Sequence, residues 1–184
     1  MELQPVSELY GNWTVSFDPN QGGPGEVVFD KLEDWTARPE PEIRHYSGIA
    51  TYGKQFDVNW ARTGGSRLYL QLGAVNVMAR ARLNGRDLGV LWCAPWRLDI
   101  TDSVKDKDNR LEIEVANLWA NRLIGDQKAP DRNVRTLQWR TGLLEGKRYK
   151  TGRFTFSTHA YYVAESRLQA SGLLGPVQLV ASEK

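Results

Sequence analysis

At 184 residues the chain is long enough to bury a real hydrophobic core within one domain. Its 24 Lys and Arg nearly cancel 22 Asp and Glu, and the net charge of +2 supplies no basic block of the kind that draws nucleic acid or an anionic membrane. No apolar run approaches the ~20 residues needed to span a bilayer. A single cysteine, Cys93, excludes an internal disulfide and a cysteine-based zinc site, and His45 and His159, the only two histidines, argue against a transition-metal site. Calcium on oxygen ligands stays open as a structural ion; no other cofactor is expected. Met1 to Pro5 lacks the basic region and apolar core of a secretion signal, which fits either a cytosolic chain or one whose signal precedes Met1.

Leu9 to Phe17 reads as the opening strand, with Trp13, Val15 and Phe17 on one face. Asp18 to Gly25 is dense in turn formers and predicts a surface loop, followed by a short strand over Glu26–Asp30. Pro39 and Pro41 exclude a continuous helix or central strand after Trp35. Tyr46 to Val58 resumes β alternation, with Tyr46, Tyr52, Phe56 and Val58 on one parity.

The strongest pattern lies in the middle of the chain. Leu68, Leu70 and Leu72 alternate with Tyr69 and Gln71; Val75, Val77, Ala79, Ala81 and Leu83 alternate with polar or larger residues over a second run. Successive side chains of a strand point to opposite faces, so this period predicts strands with one buried side. Asn84-Gly85 interrupts the alternation where a type I′ turn needs positive φ twice, predicting a hairpin that returns through Leu88–Trp92. Ala94 to Asp102 predicts an edge segment ending in a turn, Ser103 to Arg110 a solvated turn, and Leu111 to Val115 a further strand.

From Asn117 the strand pattern breaks, and the stretch to Lys150 predicts a long loop excursion. Phe154–Thr158 and Leu173–Val180 predict closing strands. No helical period of ten or more residues is evident. Short β runs separated by Gly, Pro, Asn and Asp turns predict an all-β chain: one antiparallel β-sandwich domain over 1–184, of jelly-roll type.

Several motifs resemble those of a known group of domains. Trp35 with Tyr46-Ser47-Gly48-x-Ala50-x-Tyr52, then Leu83-Asn84-Gly85-x-x-Leu88-Gly89-Val90-Leu91-Trp92 and Pro95-x-x-Leu98-Asp99-Ile100-Thr101, are similar to the sugar-binding jelly roll of family 2 glycoside hydrolases such as β-galactosidases. Asn109-Arg110-Leu111-x-Ile113-x-Val115-x-Asn117-Leu118-Trp119-x-Asn121-Arg122-Leu123-Ile124-Gly125-Asp126 resembles the C-terminal β-domain of family 106 α-L-rhamnosidase-type enzymes, as do Gly152–Ser157 and Ser171–Val177. The resemblance runs from about Trp13 to Leu179. It implies a galactose-binding-like fold, a carbohydrate ligand such as a rhamnose- or galactose-containing plant cell-wall glycan, and a bacterial, periplasmic or secreted parent enzyme. The chemistry of that parent would lie in a separate barrel module in cis. A (β/α)₈ barrel takes ~250 residues of alternating strand and helix, and nothing in this chain alternates so.

Independent glycosidase chemistry would need two carboxylates flanking the scissile bond. Asp34, Glu42, Asp99, Asp126 and Glu165 are present, but spacing alone pairs none of them. Ser157 and His159 lack a nucleophile-elbow motif. No catalytic residue is assigned.

Sugar recognition would instead combine aromatic platforms with planar hydrogen-bonding side chains. The seven Trp make that composition available in two clusters. One holds Trp92 and Trp96 beside Pro95 and Arg97; the other holds Trp119, Asn121, Arg122 and Asp126, continued by Arg135 and Trp139. Trp96 also fits the core, sharing parity with Leu98 and Ile100, and Asn117, Arg122 and Asp126 also fit a buried network that pins the loop. A brace that docks on a catalytic module through 117–150 is the alternative to sugar binding.

Overall fold

The computed structural model describes residues 3–128 and 161–182. In chain order the described elements are β1 (Leu3–Glu8), β2 (Trp13–Phe17), β3 (Glu26–Phe29), α1 (Pro41–Arg44), β4 (Ile49–Phe56), β5 (Arg67–Gln71), β6 (Ala74–Val75), β7 (Met78–Leu83), β8 (Arg86–Leu91), β9 (Arg97–Asp99), β10 (Asn109–Ala116), α2 (Ala120–Lys128), β11 (Leu173–Gly175) and β12 (Gln178–Ser182). One sheet has the order β3-β2-β4-β10-β7-β8, a second β1-β12-β5-β9, and β11 pairs with β6 in a small third. These strand pairings are antiparallel, and the expected β-sandwich is what the described residues form.

The alternation read from the sequence builds the inner layer. On β2 the buried residues are Trp13, Val15 and Phe17; on β10 they are Leu111, Ile113 and Val115. Register places Val15 beside Tyr52, Tyr52 beside Ile113 and Ile113 beside Ala81, so one apolar row crosses four strands. Leu68, Leu70 and Leu179 face them from the second sheet.

At one end the core is aromatic. The Phe17 ring meets Tyr46 at 5.0 Å and Trp35 at 5.3 Å, both edge-on, and Trp35 meets Tyr46 at 5.7 Å. Edge-to-face pairs of this kind are worth ~0.5–1.5 kcal/mol each beyond their burial. Buried polar tips need partners: the Tyr52 hydroxyl accepts from Trp35 Nε1 at 2.6 Å and from the Leu173 amide at 3.1 Å. Gly172 is required here, because its φ is +96° and a Cβ would fall 2.5 Å from Trp35 Nε1.

The hairpin turn is as expected, with Asn84 at φ 54° and Gly85 at φ 82°. Asn84 does more than turn. Its amide donates to the Ser103 carbonyl and to Asn109 Oδ1, and its oxygen accepts from the Arg110 amide. Ser103–Arg110 is accordingly not simply solvated, since Asn109 is wholly buried.

Four other expectations need correction. The chain opens with β1, not at Leu9; Pro5, a register shift between Pro5 and Ser7 and an edge position deprive β1 of the alternation that would reveal it. The run from Val75 to Leu83 is not one strand. Val75 is buried in the small sheet, Val77 is exposed at φ 80°, and β7 begins only at Met78. Leu173–Val180 divides at Gly175-Pro176 into strands of two different sheets, because Pro176 has no N–H for a ladder. The excursion from Asn117 begins with helix α2, whose buried Asn121, Arg122 and Asp126 invert the usual pattern of apolar burial. The strand expected at Phe154–Thr158 lies outside the described residues.

Tyr52→Phe should lower the unfolding free energy by about 1–3 kcal/mol, because it leaves two buried donors without an acceptor; the urea midpoint at unchanged slope measures this. Burial pushes the Tyr52 phenol well above its ordinary 10.0. Above that pH the unfolded chain releases a proton that the fold retains, so stability should fall as pH rises beyond it. Tyrosinate absorbance should therefore lag in the folded protein and complete only on alkaline unfolding.

Candidate functional site

A cleft of about 340 Å³ opens where the loop after β2, the segment before β4 and the start of α2 converge. Asp18 and Gln21 form one wall, Tyr46, Ser47, Gly48 and Ile49 the floor and lip, and Trp119 and Arg122 the opposite wall. Each wall has a local cause. The Asp18 carboxylate accepts from the Asn20 amide at 2.9 Å and caps the short 3₁₀ turn Pro19–Gln21. The Tyr46 hydroxyl accepts from the Asp18 amide at 3.1 Å and donates to the Ile49 carbonyl at 3.0 Å, tying loop to floor. Burial pushes this phenol upward too. Gly48 lets the chain pass close over the Tyr46 ring, since a Cβ would lie 2.9 Å from its oxygen.

The opposite wall depends on buried polar groups. Asn121, 2% exposed, donates to the Gln169 carbonyl at 2.6 Å and to Ser171 Oγ at 2.9 Å, and accepts from the Gln169 amide at 2.8 Å. Asn117 donates to the Tyr46 carbonyl at 2.7 Å and accepts from the Gly48 amide at 3.0 Å. Ser47 Oγ donates to the Leu118 carbonyl at 3.0 Å. Gly125 sits against His45, where a Cβ would meet the ring Cγ at 2.6 Å, so α2 lies close on the segment that ends α1. Arg122, 4% exposed, donates through Nη2 to the Gln21 carbonyl and joins the two walls. Trp119 remains 50% exposed at the mouth.

Of the eight residues named from the sequence, the cleft takes in Trp119 and Arg122. Asn121 lines a smaller neighbouring cleft of about 160 Å³ with Asn76, Asn117 and Ser171, and Asp126 is buried in α2. Trp92 is 77% exposed beyond β8 and lines neither cleft. Trp96 is partly buried against the core, and its carbonyl accepts from the Leu72 amide at 2.8 Å. Beside it the Arg97 guanidinium lies 5.1 Å from the Tyr69 ring centroid. Arg135 and Trp139 lie outside the described residues.

Asp18, Gln21, Ser47 and Ile49 were not named from the sequence. Asp18-Pro19 is a visible turn signal and Ser47-Gly48 follows a buried Tyr, yet their meeting across the mouth is a tertiary event. Among the described residues no group of three His, Cys, Asp or Glu side chains is placed to hold a metal ion. Asp34 is bound to the Thr36 and Ser171 amides. For Asp99, burial raises the carboxyl, but hydrogen bonds from Thr101 and Arg67 outweigh it and leave the group below its usual range. A general acid needs the opposite shift.

The sequence model of the glycosyl hydrolase 2 galactose-binding domain-like family matches residues 38–153. The chain belongs to that family. A putative beta-glucuronidase of Formosa agariphila is 39% identical over 181 residues, which cover 96% of this chain and 16% of that protein. The structure of a rhamnosidase from Novosphingobium sp. PP1Y matches this domain at 35% identity with a TM-score of 0.82, over 99% of this chain and 15% of that one. A beta-glucuronidase from Ruminococcus gnavus shares the fold at 19% identity and a TM-score of 0.51, over 61% of this chain and 21% of its own. The chain thus spans about one sixth of the length of the first two relatives, and is a sandwich domain of the kind found within glycoside hydrolases.

In this galactose-binding-like domain, Asn121→Ala should cost about 2–3 kcal/mol by stranding buried partners on 169–171, whereas Trp119→Ala should stay within about 1 kcal/mol. Urea denaturation of the two variants separates the scaffold residue from the exposed one.

Proposed function

We propose that this domain is a noncatalytic carbohydrate-binding accessory module of a glycoside hydrolase, with its sugar held in the cleft beneath Trp119. The observation that carries the reading is the half-exposed Trp119 ring at the mouth of a cleft lined by polar side chains. A flat ring buries the C–H face of a pyranose without needing charge. Ser47, Gln21, Asp18 and Arg122 offer donors and acceptors of both kinds around it. The cleft volume lies at the small end of the range for small-molecule sites, ~300–1,000 Å³, which suits one or two sugar units. Rhamnose- and galactose-containing glycans are the ligands this reading favours, and calcium is the one ion for which a structural role is retained.

Catalysis by the domain alone is disfavoured. Asp34 and Asp99 serve as hydrogen-bond acceptors for the chain, and neither is placed in the cleft. The relatives are matched over only 15–16% of their length, which supports an accessory part in a larger enzyme.

Titration calorimetry against plant cell-wall glycans, rhamnose and galactose, in calcium and in chelator, tests the reading. Saturable heat is expected, with Trp119→Ala weakening binding about tenfold or more, the equivalent of ~1.4 kcal/mol. Flat heats from a folded sample across the panel would overturn it.

A further inference from the structure

The outer face of the six-stranded sheet divides into two unlike halves. Toward the Asn84 hairpin it is charged, with Arg80 paired to Asp87 at 2.6 Å, Arg82 paired to Glu114 at 2.7 Å, and Arg110 and Glu112 exposed on the same face. Toward the opposite end it turns apolar. Ala116 stands directly between Ile49 and Met78 in register, and Ile49 and Met78 are 55% and 40% exposed. Trp92 follows Leu91, which pairs with Ala79, so parity and register continue the row onto a fourth strand. Leu118, also largely exposed, extends the same end two residues beyond Ala116. With strands spaced ~4.8 Å apart, the row runs about 14 Å without a charged side chain.

A contiguous apolar patch rimmed by polar residues marks an interaction surface, whereas apolar residues scattered singly do not. An apolar centre bordered by paired charges is also the anatomy of a protein–protein contact. We infer that the row Ile49–Ala116–Met78–Trp92 is the face on which this domain docks against another module of the same glycoside hydrolase polypeptide. The occupant follows from the length of the relatives. Matches that cover 96–99% of this chain leave most of each relative's own chain outside the sandwich, covalently held beside it. At the high local concentration that linkage provides, a modest apolar contact suffices. The band of Arg80, Asp87, Arg82, Glu114, Arg110 and Glu112 mixes both signs, which suits a protein surface better than an anionic lipid, which would select an excess of cations. The inference rests on membership of a larger glycoside hydrolase and not on sugar binding.

Hydroxyl-radical labelling read by mass spectrometry tests it, because Met and Trp are strongly oxidisable. The 184-residue chain and the full polypeptide that carries it are labelled side by side, with exposed Tyr10 as the internal reference. Met78 and Trp92 should oxidise at least fivefold more slowly in the full polypeptide, while Tyr10 is unchanged. The paired substitution Met78→Glu and Trp92→Ser should leave the circular dichroism of the 184-residue chain intact and restore labelling of Leu118 in the full polypeptide. Equal oxidation in both forms would overturn the inference. So would protection already present in the 184-residue chain and rising with its concentration, which would make the occupant a second copy. A native product of only 20.9 kDa would remove the neighbour and the inference with it, leaving sugar binding to calorimetry.

Discussion

Phe17, Trp35 and Tyr46 meet edge to face at 5.0–5.7 Å, and most of what lies around the cleft depends on that contact. The three rings come from β2, from a 3₁₀ turn and from the segment leading into β4. Packing them closes one end of the sandwich with large, stiff groups that have few rotamers to lose. Their polar tips then act as fasteners. Tyr46 holds the Asp18 loop, and Trp35 donates to Tyr52, whose oxygen also receives the Leu173 amide. An aromatic core with satisfied polar tips is thus both the hydrophobic anchor and the hydrogen-bonded frame of the site.

The second constraint is polar. Helix α2 buries Asn121, Arg122 and Asp126 alongside Ala120 and Ile124, so it has no exclusively apolar stripe to lay on the sandwich. It is held instead by its amide side chains to 169–171, by the close approach of Gly125 to His45 and by the reach of Arg122 to the Gln21 carbonyl. Such a network is stable only when its donors and acceptors are matched, and its geometry is correspondingly specific. It leaves the Trp119 ring free at the mouth, supported from behind by groups already committed to the chain.

The exposed apolar residues distribute in a way that connects the cleft to its surroundings. Ile49 is both the lip of the cleft and the first member of the apolar row on the outer sheet face. The proposed sugar cleft and the inferred docking face therefore meet at the start of β4.

Local pattern alone determined much of the sandwich. Alternation over Leu68–Leu72, Ala79–Leu83 and Leu111–Val115 settles the buried faces, because a strand has a fixed period of two. Asn84-Gly85 settles the hairpin, because few residue pairs accept positive φ twice. Motif resemblance carried the family, and the matches to residues 38–153 and to the rhamnosidase bear it out. Tertiary structure alone decided the rest. β1 is invisible locally, since an edge strand with Pro5 has no clean pattern until β12 pairs with it. Nine residues of α2 are too few, and too polar on their buried side, to announce a helix. Trp92 and Trp119 look alike in sequence to Trp13 and Trp35, yet two are exposed and two fully buried. Composition records that an aromatic ring is present; only the register of strands distant in sequence determines whether water or protein covers it.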